Sequence, residues 1–135
     1  MSNGSNDVHE CRIGIAIVED GKYLVDVYRR MLEKKGINIC FVAFDGKEAL
    51  LKFIECSDPP HGVIMDYRLP TMNGIDTARE ILKIDPGAKI IFLSADADVK
   101  EEAMKAGAYK FLKKPASIKD IIDAVQEIVP VQKPD

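Results

Sequence analysis

The stretch Gly62-Val63-Ile64-Met65-Asp66-Tyr67-Arg68-Leu69-Pro70-Thr71-Met72-Asn73-Gly74 decides how this chain is read. Four apolar residues run into one aspartate, and a turn rich in Pro, Asn and Gly follows at once. A short apolar run punctuated on both sides reads as a buried strand of a sheet covered on both faces. Asp66 then stands where that strand leaves the core. A lone buried carboxylate is costly, so it demands partners.

Outward from this strand, the pattern alternates. Arg12 to Val18 is an apolar strand ending at Glu19-Asp20, and Gly21 breaks it. Leu24, Val25, Tyr28, Met31 and Leu32 follow helical spacing, closed by Lys34-Lys35-Gly36. Ile37 to Val42 is a second strand. Asp45 caps a helix whose inward stripe is Ala49, Leu50, Phe53 and Ile54. After Asp66, a third helix spans roughly Asn73 to Ile84, with Ile75, Ala78, Ile81 and Leu82 inward. Lys89 to Leu93 is a fourth strand with Ser94 at its end, and a short helix near Val99 to Ala106 stops at Gly107. Tyr109 to Leu112 is a brief fifth strand. The last helix starts at Ser117, buries Ile118, Ile121, Ile122, Val125, Ile128 and Val129, and ends at Pro130.

Five strands alternating with five helices, each crossover long enough to require parallel pairing, predict a three-layer α/β domain. The expected form is a (βα)5 flavodoxin-like doubly wound sheet with five parallel strands in the order 2-1-3-4-5. At 135 residues the chain suits one domain. Residues 1–10 read as a flexible leader, 11–130 as the domain, and 131–135 as a tail or linker stub. The apolar share of 47%, the charged share of 30% and a net charge of −3 are those of a soluble globular protein without a basic face for nucleic acid. No run reaches membrane-spanning length and no signal peptide precedes the domain. Three cysteines without disulfide or zinc spacing (Cys11, Cys40, Cys56) fit a reducing cytoplasm. His9 and His61 show no ligand spacing and read as loop residues.

In an open parallel sheet, the functional crevice lies beyond the carboxyl ends of the strands at the topological switch point. The polar residues there are Glu19 and Asp20, Asp66, Ser94 and Lys114. Three carboxylates brought together repel unless a cation or proton intervenes. Mg²⁺ fits, since it takes one or two protein carboxylates, keeps waters and leaves room for a phosphate oxygen. Asp66 would then be a nucleophile toward phosphorus, with Ser94 and Lys114 as donors to phosphoryl oxygens.

Four segments carry a family resemblance that covers about Arg12 to Val129: Ile17-Val18-Glu19-Asp20; Met65 to Pro70 with Met72-Asn73-Gly74; Leu93-Ser94-Ala95; and Gly107 to Pro115. Together they resemble the response-regulator receiver domain of two-component signalling. The resemblance implies that Asp66 is the phospho-acceptor, and that Asp20 ligates Mg²⁺ directly and Glu19 through water. The Arg68 backbone carbonyl falls at the family's main-chain ligand position, and Mn²⁺ is an alternative metal. Ser94 matches the switch hydroxyl and Lys114, directly before Pro115, the phosphoryl-binding lysine. Phe111 falls on the switch aromatic position; Tyr109 does not. The implied partners are a sensor histidine kinase and a downstream protein target or a linked output domain, with no direct nucleic-acid or membrane contact, in a monomer or phosphorylation-dependent homodimer. Enzymatic turnover beyond self-directed phosphotransfer and autodephosphorylation is not expected. Two departures stand out: the segment between Ser94 and Gly107 is about two residues short of the family pattern, and Ala116 replaces the usual phenylalanine.

Plainer readings exist for each residue. Ser94 also reads, with less weight, as a simple cap, Glu19-Asp20 as neutralising the first helix's N-terminus as well, and Phe111 equally as core packing. A Mg²⁺-dependent aspartyl phosphatase would want an acid at the position of Arg68. A flavin or nucleotide module would want a phosphate cradle where Glu19-Asp20-Gly21 repels anions. A module that keeps only the fold would have no use for the acidic cluster.

Overall fold

The computed structural model describes residues 14–129. The expected leader and tail, Cys11 and His9 lie outside the described residues. Five strands pair in parallel, as their alternation with helices predicts, in the expected flavodoxin-like order of second, first, third, fourth and fifth. The strands are β1 (Gly14–Val18), β2 (Asn38–Ala43), β3 (Gly62–Asp66), β4 (Lys89–Ser94) and β5 (Lys110–Lys113). Between and after them run α1 (Lys22–Lys34), α2 (Gly46–Glu55), α3 (Gly74–Ile84), α4 (Lys100–Lys105) and α5 (Ile118–Ile128). A single 3-10 turn, Ala97–Val99, leads into α4.

The two-residue period of the strands sorts the core into two layers. Ala16, Val18, Val63, Met65, Ile90 and Phe92 point to one face, where they meet α2, α3 and α4 through Ala49, Phe53, Ile75, Ala78, Ile81 and Ala103. Ile15, Ile17, Ile64, Ile91 and Leu93 point to the other, against Val25, Tyr28 and Leu32 of α1 and Ile121, Ile122 and Val125 of α5. Because β1, β3 and β4 are covered on both faces, they read as continuous apolar runs.

The helices start where the sequence places their caps. Asp45 accepts from the Glu48 N–H at 2.8 Å, Asn73 from Asp76 at 2.9 Å and Ser117 from Asp120 at 3.0 Å. Glu48 in turn accepts from the Phe44 N–H at 2.7 Å, which closes the cap of α2 reciprocally. Three strand ends shift by a residue: β2 runs to Ala43, β4 to Ser94 and β5 to Lys113. Ile54, expected inward, is 57% exposed. It stands at the edge of the α2 stripe, and only Gly46, Ala49 and Phe53 of that helix are fully buried.

The loop after β3 is bound tightly on two sides. Gly74 donates its N–H to the Tyr67 carbonyl at 2.8 Å, and its α-carbon lies so close to the Asp66 carbonyl and the Phe92 ring that no Cβ fits. Thr71 has a φ of +67°, a left-handed conformation that is strained for a β-branched residue. Its hydroxyl is held by the N-terminus of α2: it donates to Asp45 Oδ1 at 3.0 Å and accepts from the Lys47 N–H at 3.1 Å. The Gly46 N–H adds a bond to the Pro70 carbonyl at 3.2 Å. Gly74→Ala, despite its better helix propensity, should therefore cost roughly 1–3 kcal/mol of unfolding free energy through overpacking. Urea denaturation would read this directly, and an unchanged or higher stability would contradict the close approach.

Candidate functional site

The parallel register brings the carboxyl ends of the strands to one edge. Val18 pairs with Met65, Asp66 with Leu93, and Ser94 with Lys113, so the residues one step beyond face a common crevice. Glu19, Asp20 and Asp66 converge there, with one carboxylate oxygen from each lying within 4.8 Å of the others. Asp20 is exposed, whereas Glu19 and Asp66 are 3% and 7% exposed. Lys114 arrives from the end of β5, after which the Lys114–Pro115 peptide is cis. Its ammonium lies 3.0 Å from Asp66 Oδ1 and 3.3 Å from Glu19 Oε1. Its backbone N–H donates to the Ser94 carbonyl at 2.8 Å, tying the ends of β4 and β5 together.

The charges do not balance. Burial raises the pKa of Asp66, and Lys114 pulls it back only in part, with Asp20 adding a like charge. Glu19 is also raised, by burial first; its hydrogen bond from Gly21 and the nearby Lys114 oppose this, and Asp66 reinforces it. Burial alone would lower Lys114, but its hydrogen bond to Asp66 and the charges of Asp66 and Glu19 outweigh that and raise it. One ammonium therefore serves three carboxylates, and a further cation is the natural complement. The donor set, oxygen only and all carboxylate, fits a hard divalent ion.

The remaining expected residues take their places around this cluster. Ser94 is buried, and its hydroxyl oxygen accepts from the Asp96 N–H at 3.0 Å. Asp96 in turn caps the 3-10 turn by accepting from the Asp98 N–H at 3.0 Å, and its carboxylate comes within 4.0 Å of the Arg68 guanidinium. Arg68 lines a cavity of about 440 Å³ together with Asp20, Tyr67, Leu69, Pro70 and Asn73. Phe111 pairs with Phe92 across the sheet and is half-buried against the layer of α2, α3 and α4. Tyr109 instead donates its hydroxyl to Glu127 at 2.8 Å on the surface. Glu19 also meets the start of α1: its Oε2 accepts from the Gly21 N–H at 3.0 Å. Thr71 and Asp96 carry no site signal in the sequence: Thr71 is held by Asp45 and Lys47 from another loop, and Asp96 meets the Arg68 guanidinium only once the fold brings the two loops together. α4 has only six residues, in line with the short segment after Ser94.

Residues 15–126 match the response regulator receiver domain. The chain belongs to that family. It is 37% identical over 116 residues to the chemotaxis protein CheY of Thermotoga maritima, a match covering 84% of this chain and 95% of that protein. A receiver domain from Clostridium thermocellum superposes with a TM-score of 0.80 at 30% identity, covering 86% of this chain and 93% of that one. The CheX–CheY complex of Borrelia burgdorferi, solved with BeF3 and Mg, gives 0.80 at 26% identity, covering 86% and 88%. The receiver has the architecture of its relatives, and none of its described helices is long and apolar enough to cross a membrane.

The electrostatic imbalance makes a signed prediction. A carboxyl whose folded pKa exceeds its unfolded value binds its proton more tightly when folded, so stability falls as pH rises through the carboxylate range. Without divalent ions, Asp66→Asn should therefore raise the melting temperature at neutral pH. In the unsubstituted receiver, Mg²⁺ should raise it as well, more at neutral than at acidic pH. The same ion should do much less for Asp66→Asn. A Mg²⁺ response that is equal in both proteins would contradict the assignment of the cluster.

Proposed function

We propose that this receiver accepts a phosphoryl group on Asp66 within a two-component phosphorelay. The observation that carries the reading is the meeting of three carboxylates with one ammonium, 3.0 Å from Asp66, at the switch-point crevice. An Asp66 carboxylate oxygen attacks phosphorus, the bond from phosphorus to the donor's leaving group breaks, and an acyl phosphate remains. The donor in the cell is a sensor histidine kinase, so the bond broken is the P–N bond of its phosphohistidine.

Glu19, Asp20, Asp66 and the Arg68 backbone carbonyl would hold Mg²⁺, or Mn²⁺ in its place, which supplies charge neutralisation and orients phosphoryl oxygens when bound. Lys114 exchanges its carboxylate contact for a phosphoryl oxygen. The Ser94 hydroxyl, which now accepts from Asp96, turns its proton toward the same group. Phe111 follows Ser94 inward and biases the face made by α4, β5 and α5. The chemistry is self-directed phosphotransfer and autodephosphorylation, without turnover of an outside substrate. The domain spans residues 11–130 and works in the cytoplasm, signalling to a protein target or a linked output domain as a monomer or a phosphorylation-dependent homodimer.

Incubation with acetyl phosphate and Mg²⁺ should add one phosphoryl mass to the intact protein, and Asp66→Asn should take up none. Ser94→Ala should still be labelled, but the aromatic resonances of Phe111 should no longer change on labelling. No adduct on the unsubstituted protein, or an undiminished one on Asp66→Asn, overturns the reading.

A further inference from the structure

An apolar groove of about 340 Å³ opens beside the acidic cluster, with Leu24, Val27 and Tyr28 of α1 on one side and Pro115 and Ile118 on the other. Lys114 also lines it. Tyr28 occupies a core position of α1 and is 6% exposed as a residue. Its hydroxyl makes no hydrogen bond among the described residues, and no fully buried polar side-chain atom among them lacks a partner, so this hydroxyl reaches solvent at the groove. An aliphatic side chain would fill the position without a polar tip, whereas a phenol buries its ring and keeps the tip wet.

Lys114 supplies the complementary shortage. An ammonium carries three N–H donors. Two of them go to Asp66 and Glu19, and no third acceptor from the described residues bonds it. Burial pushes the Tyr28 phenol above its ordinary pKa, and the Lys114 charge opposes this while Glu19 and Asp66 reinforce it. Thus a hydroxyl with a spare lone pair and an ammonium with a spare donor front one groove, which is wide enough to admit water.

We propose that Tyr28 is a positioning residue for Lys114: its hydroxyl accepts, through water in the groove, from the third N–H of the ammonium and holds that ammonium on the Asp66 side. The inference rests on the reading of Asp66 as acceptor and adds a residue on α1 to the machinery at the strand ends. As Lys114 passes from carboxylate to phosphoryl oxygen, the Tyr28 anchor limits its wandering into the groove. The rate of phosphoryl transfer then depends on the hydroxyl, while packing depends on the ring alone.

Tyr28→Phe separates the two. The variant should fold and melt like the unsubstituted protein, keep its half-saturating concentration of acetyl phosphate, and lose about three- to tenfold in maximal labelling rate, the range of one ordinary hydrogen bond. In a Lys114→Arg background, the same substitution should lose less than it does alone, because the two act through one contact. If Lys114→Arg is not labelled at all, the Lys114 ¹³Cε resonance decides. A shift in Tyr28→Phe supports the proposal, and coincidence with the unsubstituted protein overturns it. Asp66-dependent labelling at an undiminished rate in Tyr28→Phe overturns this inference alone. Absence of any adduct on the unsubstituted protein overturns it together with the reading of Asp66.

Discussion

The contact on which the crevice depends is the ammonium of Lys114 set between Asp66 and Glu19. It links the ends of β5, β3 and β1, strands that lie far apart in sequence. It is also insufficient, because Asp20 brings a third negative charge and the ammonium can answer only part of the total. Burial therefore holds Glu19 and Asp66 raised from their ordinary pKa values, which favours the uptake of a proton or a cation there. An electrostatic deficit of this kind is a functional state rather than a flaw in folding.

The fold makes that deficit affordable by placing it at an edge. Two apolar layers, one under α1 and α5 and one under α2, α3 and α4, bury the sheet on both faces. The strand ends carry the polar residues out of those layers, each one step past its last apolar partner. The cost of gathering like charges falls on the crevice, and the core that stabilises the chain contains none of it.

Much of this was legible in the sequence because the strands are short, apolar and sharply ended. Asp66 and Ser94 are recognisable as the first polar residues after apolar runs, Lys114 by its place directly before Pro115 in the family pattern, and the alternation of strands and helices predicts a parallel sheet. Thr71 was not legible: a β-branched residue carries no signal for a left-handed φ, and the bonds from Asp45 and Lys47 that hold it come from another loop. Ile54 follows helical spacing, yet it stands where the contact face of α2 ends. Tyr28 was visible only as one member of an apolar stripe. Its polar tip gains meaning once β5 delivers Lys114 to the same groove.

The bonds around Thr71 also distribute stiffness across the crevice. The loop carrying Asp66 is clamped to α2 by Asp45, Gly46 and Lys47, and Gly74 closes against the Asp66 carbonyl. The opposite wall is a Ser94–Asp96 contact, one 3-10 turn and the six residues of α4. Cross-links are thus concentrated on one side of the crevice: the β3–α3 loop is bolted to a second helix, whereas the β4–α4 loop is tied by hydrogen bonds within two residues and by the Arg68–Asp96 ion pair.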